Sequence, residues 1–315
     1  MTHPKLLVTF ILCGIALPTS AVGAGAATPP LVDVEWVKSH ACEQNVVVLD
    51  TRNDKIDAQS KAEYLNEHIP CSVHTDYAKA GWRVKAKEIA GMLPPVDKLE
   101  HLIGGLGIDN DTHVIVAGAG NQAKDFASAA RVYWTFRVLG HDKVSILNGG
   151  VAAYAKDKAN AMETGDRVPE PKQFKADPQT EMLVTADDVS RAAQEGVLLV
   201  DLRPSDMYLG INKSGKVKRP GTIPGAVNLP RPWLTANNKG RLRSKDALNE
   251  LLAVANVPNE GKQITFCNTG HDSSIGWFVL SEIVGNKSVQ NYDGSLAEWA
   301  SDLSRPMENK IALTQ

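Results

Sequence analysis

The feature that most constrains this chain is a repeat. Four blocks recur in the same order at a nearly constant offset. Val46-Val47-Val48-Leu49-Asp50-Thr51-Arg52 matches Val197-Leu198-Leu199-Val200-Asp201-Leu202-Arg203, and His68-Ile69-Pro70-Cys71-Ser72-Val73 matches Thr222-Ile223-Pro224-Gly225-Ala226-Val227. His113-Val114-Ile115-Val116-Ala117 matches Gln263-Ile264-Thr265-Phe266-Cys267, and Ile146-Leu147-Asn148-Gly149-Gly150 matches Asn291-Tyr292-Asp293-Gly294. The offset is 151 from Asp50 to Asp201, 154 from Ile69 to Ile223, 150 from Ala117 to Cys267 and 144 from Gly150 to Gly294. Ordered self-similarity of this kind means one unit used twice. The length of 315 residues fits two domains of about 150 residues each.

Within each copy, short apolar runs (Val46–Leu49, Val114–Val116, Val197–Val200) read as buried strands of a parallel sheet. Helical stretches lie between them at Ala127–Leu139, Thr185–Gln194, Lys245–Ala255 and Ser274–Val284. Strands alternating with helices predict an α/β fold in each half, a parallel sheet flanked by helices. The expected boundaries are 31–164 and 181–308, with the Pro- and charge-rich stretch 165–180 as linker. Lys plus Arg is 34 against 36 for Asp plus Glu. A chain so balanced has no global field for nucleic acid or an anionic membrane, so any charged substrate must be met locally.

Residues 1–26 are expected to be an export signal. Lys5 starts it, Leu6–Leu17 forms a 12-residue apolar run, and Ala21-Val22-Gly23-Ala24-Gly25-Ala26 supplies the small residues of a cleavage site after Ala24 or Ala26. The run is too short to span a bilayer, which argues against a retained anchor and against stable membrane insertion. Cys13 has no small residue before it, unlike a lipoprotein site. The expected destination is a bacterial periplasm. Cys42, Cys71 and Cys267 then meet an oxidising compartment as an odd set. Either two of them pair, with Cys42 and Cys71 in the same half, or all three stay as buried thiols; connectivity is not readable from sequence.

The chemistry is expected at Ile264-Thr265-Phe266-Cys267-Asn268-Thr269-Gly270-His271-Asp272-Ser273-Ser274. A strand ends at Cys267, a polar loop with a glycine follows, and a helix is expected near Ser274. Open α/β sheets bind ligands outside the carboxyl ends of their strands. A loop turning into a helix can aim backbone N–H groups inward and lower a thiol pKa. The commoner fate of a lone cysteine is the core, but the polar, Gly-containing loop argues for a nucleophile. No metal-ligand spacing, C-x-x-C pair or nucleophile-elbow Gly-x-Ser-x-Gly is present, and no cofactor is expected.

These features together resemble a tandem-domain rhodanese, a thiosulfate or 3-mercaptopyruvate sulfurtransferase, over about Leu31 to Glu308. The carriers are the Asp-x-Arg strand ends at Asp50–Arg52 and Asp201–Arg203, the segment Gly221-Thr222-Ile223-Pro224-Gly225-Ala226-Val227-Asn228, and Tyr292-Asp293-Gly294-Ser295-Leu296-Ala297-Glu298-Trp299. The resemblance implies two rhodanese-like domains, an idle first copy with Ala117 in place of the cysteine, and a catalytic second copy. It implies a sulfur relay through a Cys267 persulfide, from a small anionic donor to cyanide or a thiol. Asn268, Thr269, Gly270, His271, Asp272 and Ser273 would form the active-site loop.

The donor is less plainly written. The loop matches neither the basic thiosulfate type nor the small Gly-Ser-Gly type of mercaptopyruvate enzymes. Met207 stands where both branches place an arginine, and Gly91-Met92-Leu93-Pro94 lacks the histidine of a His-Met-Leu-Pro segment. Thiosulfate is therefore the expected donor, with mercaptopyruvate as the alternative. Arg219 matches a substrate-binding arginine by position, and Lys216 and Lys218 adjoin it. Arginine suits an oxyanion because its fork holds two oxygens. His271 is open between assisting, through charge or a hydrogen bond, and facing solvent. Asp272 is expected to cap the helix near Ser274, Asp201 and Arg203 to form a structural pair, and Asp76, Trp82 and Arg83 to wall the cleft. A thiol phosphatase or arsenate reductase would need an arginine where Ser273 stands. A binding module with an idle cysteine stays open.

Overall fold

The structure, a computed structural model, describes residues 28–312. The expected export segment, residues 1–26, lies outside them. The first half contains strands β1 (Leu31–Val32), β2 (Val46–Asp50), β3 (Val73–His74), β4 (Val84–Ala86), β5 (Ile89–Met92), β6 (His113–Ala117) and β7 (Val144–Leu147). Its helices are α1 (Val34–His40), α2 (Lys61–Asn66), α3 (Val96–Gly105), α4 (Ala123–Val138) and α5 (Gly150–Tyr154). The second half contains β8 (Leu198–Asp201), β9 (Val227–Asn228), β10 (Gln263–Phe266) and β11 (Val289–Asn291), with α6 (Ala186–Gln194), α7 (Ser205–Leu209), α8 (Arg231–Leu234), α9 (Lys245–Val254), α10 (His271–Phe278) and α11 (Ser295–Trp299).

The sheets run β1-β7-β6-β2-β3 and β11-β10-β8-β9, and every pairing within them is parallel. The duplicated α/β architecture expected from the repeat is therefore present. Val48, Leu49, Val114, Ile115, Val116 and Val200 are buried, as continuous apolar strands must be when helices cover both faces. Thr185 and Ser244 cap α6 and α9, each accepting a backbone N–H. The hairpin β4–β5 stands apart as an antiparallel pair.

Helix α4 explains how the halves meet. Nearly all of its residues are buried, because one side lies on its own sheet and another against α10 of the second half. Tyr133 meets Phe278 edge-on at 4.9 Å, and Phe126 meets the same ring at 5.7 Å. Arg131, with its side chain wholly buried, pairs with Asp293 at 2.5 Å across this junction. The stretch read as a linker is a strap on the first domain. Lys172, Asp177 and Gln179 donate backbone N–H groups to Gly104, Leu139 and Val138, and Phe174 is buried beside Phe136.

The strand register corrects one expectation. Asp50 lies opposite Ala117 in the first sheet, whereas Asp201 lies opposite Phe266 in the second. Likewise Val151 donates to the Gly118 carbonyl as Leu296 donates to that of Cys267. The counterpart of Cys267 is thus Gly118, not Ala117, because the two loops differ by one position from what the sequence offset suggests. The first copy has neither thiol nor side chain there.

Cys42 and Cys71, 29 positions apart in the chain, are joined, with Cα atoms 5.3 Å apart. Closing a loop of that size is worth about 3–4 kcal/mol by the chain-entropy account. Reducing the bond should lower Tm by several degrees, and among Cys42, Cys71 and Cys267 a thiol titration of the denatured, unreduced protein should find one. Three free thiols would show that the bond does not form. Among the described residues no helix is long and apolar enough to cross a membrane.

Candidate active site

Cys267 follows the last residue of β10, is almost fully buried, and is the one cysteine outside a disulfide among the described residues. The loop after it is held by a residue the sequence reading quoted but did not assign to the site. Ser295 Oγ accepts the N–H groups of Cys267 and Gly270, both at 3.1 Å, and donates to the Tyr292 carbonyl at 2.8 Å. One hydroxyl thus ties the two ends of the loop, and it sits 3.9 Å from Cys267 Sγ. Ser295 adopts φ +49 to do so, a left-handed conformation that costs about 1–2 kcal/mol outside glycine. Its counterpart in the first copy is Gly150, at φ +60 and without a hydroxyl.

Gly270 turns the loop into α10 at φ +74, where a Cβ would lie 2.6 Å from Arg131 Nη1 and Asp293 Oδ1. The helix therefore begins at His271, ahead of the Ser274 region expected, and the N–H groups of its first turn lack intrahelical acceptors. They add to a local field that favours an anion at Cys267. Asp272 accordingly does not cap Ser274. It lies in the first turn and pairs with Arg231 at 2.5 Å. Ser273 is fully buried beside it, so no arginine fork occupies the position a thiol phosphatase needs.

The pocket over Cys267 is about 260 Å³ and is lined by Cys267, Asn268, Thr269, His271 and Asp272 from the loop. Its cations are Lys55, Arg83 and Lys124 from the first domain and Lys216 and Arg231 from the second. A larger cleft of about 660 Å³ lies beside Cys42 and Cys71 but contains no free thiol. Asn268 reaches Met207, its amide 3.6 Å from the sulfur.

Several expected residues lie elsewhere. Arg219 does not face the pocket. Its guanidinium donates to the carbonyls of Trp299, Ala300, Asp302 and Arg305, because the C-terminal end of α11 presents unpaired carbonyls that attract a cation. Lys218 is exposed and does not line the pocket. Arg219→Ala should therefore lower stability by about 1–3 kcal/mol and leave the donor KM unchanged; a raised KM with unaltered Tm would return Arg219 to the site. Trp82 is core, its indole N–H on Thr75 at 2.8 Å and its ring near Phe136. Asp76 caps the backbone of Ala78 and Lys79 and does not line the pocket. Arg83 does wall the cleft. It donates to the Gly91 carbonyl, to the Thr269 carbonyl and to Thr269 Oγ1. Asp201 and Arg203 form a fully buried ion pair at 2.6 Å, with Arg203 also on the Gly221 carbonyl.

His271 does not face solvent. Its Nδ1 shares a hydrogen bond of 2.9 Å with the Tyr77 hydroxyl of the first domain. Burial, and then the charges of Arg83, Arg231 and Arg131, hold its pKa well below the usual 6.5. It carries no charge near neutral pH, so it cannot assist an anion as a cation. Burial raises the Tyr77 pKa, which keeps its phenol protonated.

Comparison with known proteins gives the family and the fold. The Rhodanese-like domain family matches residues 33–157 and again 185–302. The chain belongs to the rhodanese-like family. It is similar to a Haloferax volcanii protein named "Putative thiosulfate sulfurtransferase", with 30% identity over 88% of this chain and 96% of that one. It is also similar to the 3-mercaptopyruvate sulfurtransferase of Escherichia coli K12, 29% identical over 90% of this chain and 99% of the relative. The crystal structure of SseA from Escherichia coli superposes with a TM-score of 0.72 at 27% identity, covering 87% of this chain and 100% of that one. This tandem rhodanese falls in the sulfurtransferase enzyme family to which those relatives belong.

Proposed function

We propose that the protein moves sulfane sulfur from thiosulfate to cyanide or a thiol through a persulfide on Cys267. The Cys267 thiolate attacks the outer sulfur of thiosulfate. A new sulfur–sulfur bond forms, the bond to the inner sulfur breaks, and sulfite leaves with the electron pair. The acceptor then attacks the terminal sulfur of the persulfide, and Cys267 departs as thiolate. Splitting one transfer in two is covalent catalysis with ping-pong kinetics, and fixed N–H dipoles around the anionic sulfur serve both halves.

The observation that carries the reading is the pocket itself: a buried thiol at a strand end, under five cations contributed by both domains. Among the arginines, Arg231 replaces Arg219 as the anion receptor, since it donates only to Asp272 and keeps donors to spare. The choice of thiosulfate over mercaptopyruvate rests on two features. A doubly charged donor suits a pocket so rich in cations. In addition, Gly91 stands at φ +90 where the other branch has histidine, and a Cβ there would lie 2.0 Å from Arg83 Nη2. Arg83 fills the space that histidine would need. The Cys42–Cys71 bond and the N-terminal segment support export to the periplasm as part of the same proposal.

The test is intact-mass measurement after incubation with thiosulfate, followed by addition of cyanide and assay of thiocyanate. One added sulfur on Cys267, removed by cyanide, is expected. Faster loading from mercaptopyruvate would establish the alternative donor. No loading from either would leave a rhodanese-like binding module.

A further inference from the structure

Three arginines meet at the active-site loop, and two of them bond to several protein acceptors. Arg83 holds Gly91 and Thr269, and Arg131 holds the Gly270 carbonyl and Asp293. Arg231 makes one bond, from Nη1 to Asp272 Oδ1, and its Nε is buried without an acceptor. The position of Arg231 is therefore set by Asp272. The same Oδ1 lies 3.8 Å from Nε2 of the neighbouring His271.

That nitrogen is buried with no hydrogen-bond partner, and its protonation decides what the carboxylate meets. A neutral imidazole carries one proton, and its location follows from the surrounding network. With the proton on Nδ1, the Tyr77 hydroxyl would have no acceptor, and the bare lone pair of Nε2 would face a carboxylate oxygen. With Tyr77 donating to Nδ1, both conflicts vanish and Nε2–H points its positive end toward Asp272. Tyr77 is wholly buried and belongs to the domain that lacks the thiol.

We propose that Tyr77 acts through His271 as a positioning residue, fixing the Nε2–H tautomer that steadies Asp272 and thereby Arg231 where the anionic end of the sulfur donor binds. The proposal rests on the reading of Arg231 as the anion receptor. It assigns the first domain a part in donor recognition beyond covering the cleft.

The test combines kinetics with spectroscopy on the mature protein, using thiosulfate and cyanide. Arg231→Ala should raise the thiosulfate KM about 10- to 100-fold, the worth of a charge-assisted contact. Tyr77→Phe should raise it about fivefold with kcat little changed, and combining it with Arg231→Ala should add nothing, since residues in one chain of contacts are not additive. His271→Ala removes the ring through which Tyr77 acts, so it should raise KM about as far as Tyr77→Phe does, and adding Tyr77→Phe to it should change nothing further. In spectra of protein labelled with ¹⁵N-histidine, His271 should be the Nε2–H tautomer and should lose that form in Tyr77→Phe. An unchanged KM in Tyr77→Phe, additive effects, or an Nδ1–H tautomer in the wild type would each overturn the proposal while Arg231→Ala still raised KM. An Arg231→Ala protein with normal KM would instead overturn the anion-receptor reading, and this proposal with it.

Discussion

Cys267→Ser is expected to lower sulfur transfer by at least about 10⁴-fold, to the rate of the uncatalysed reaction, while leaving Tm within about a degree. The oxygen can occupy the place of the sulfur but cannot take up sulfane sulfur and release it again. Mass measurement after thiosulfate should show no adduct. The site tolerates the exchange structurally, because the loop is held by Ser295 and by Arg131 rather than by the thiol. Turnover that survived the exchange would sink the persulfide route. Persistent sulfur on another residue would place the chemistry elsewhere.

The second large effect concerns folding. Arg131→Ala should destabilise the protein by about 3–5 kcal/mol, because it leaves the carboxylate of Asp293 buried without its partner. Asp293 is nearly buried and also accepts the Leu93 N–H at 2.6 Å, so it joins β5's exit, α4 and the active-site loop at one point. Arg131 also stacks over Trp134, its Cζ 4.5 Å from the ring centroid, which adds a cation–π contact at a desolvated site. Activity should fall with stability, since Arg131 holds the Gly270 carbonyl at 3.1 Å. Chemical denaturation would read the loss. A change below about 1 kcal/mol would mean that the pair is no more than a surface-like contact.

How much was legible in the sequence depends on how local the signal was. The strands at Val46–Asp50, His113–Ala117 and Leu198–Asp201 were readable because continuous apolar runs need two covered faces. The start of α10 was not, because Gly270 caps it in a left-handed conformation and with no side-chain hydrogen bond, unlike the extended Ser, Thr, Asp or Asn cap that a sequence advertises. The register of the first copy defeated alignment by one position: Ala117 matched Cys267 by offset, while hydrogen bonding pairs Gly118 with it. Charged residues were the least legible. Arg219 and Arg231 both precede or follow the same Ile-Pro-Gly segment, and nothing local says that one meets the carbonyls ending α11 and the other the pocket.

The sequence by itself determined a duplicated α/β chain with one nucleophile at one strand end, since repetition, apolar periodicity and a polar glycine loop are properties of neighbours along the chain. Only the tertiary structure decided what surrounds that nucleophile. Ser295, 28 positions away, ties the loop, and Tyr77, Arg83 and Arg131 arrive from the other copy. Electrostatic and hydrogen-bonding partners are selected by proximity in space, and packing α4 against α10 is what brings them within reach.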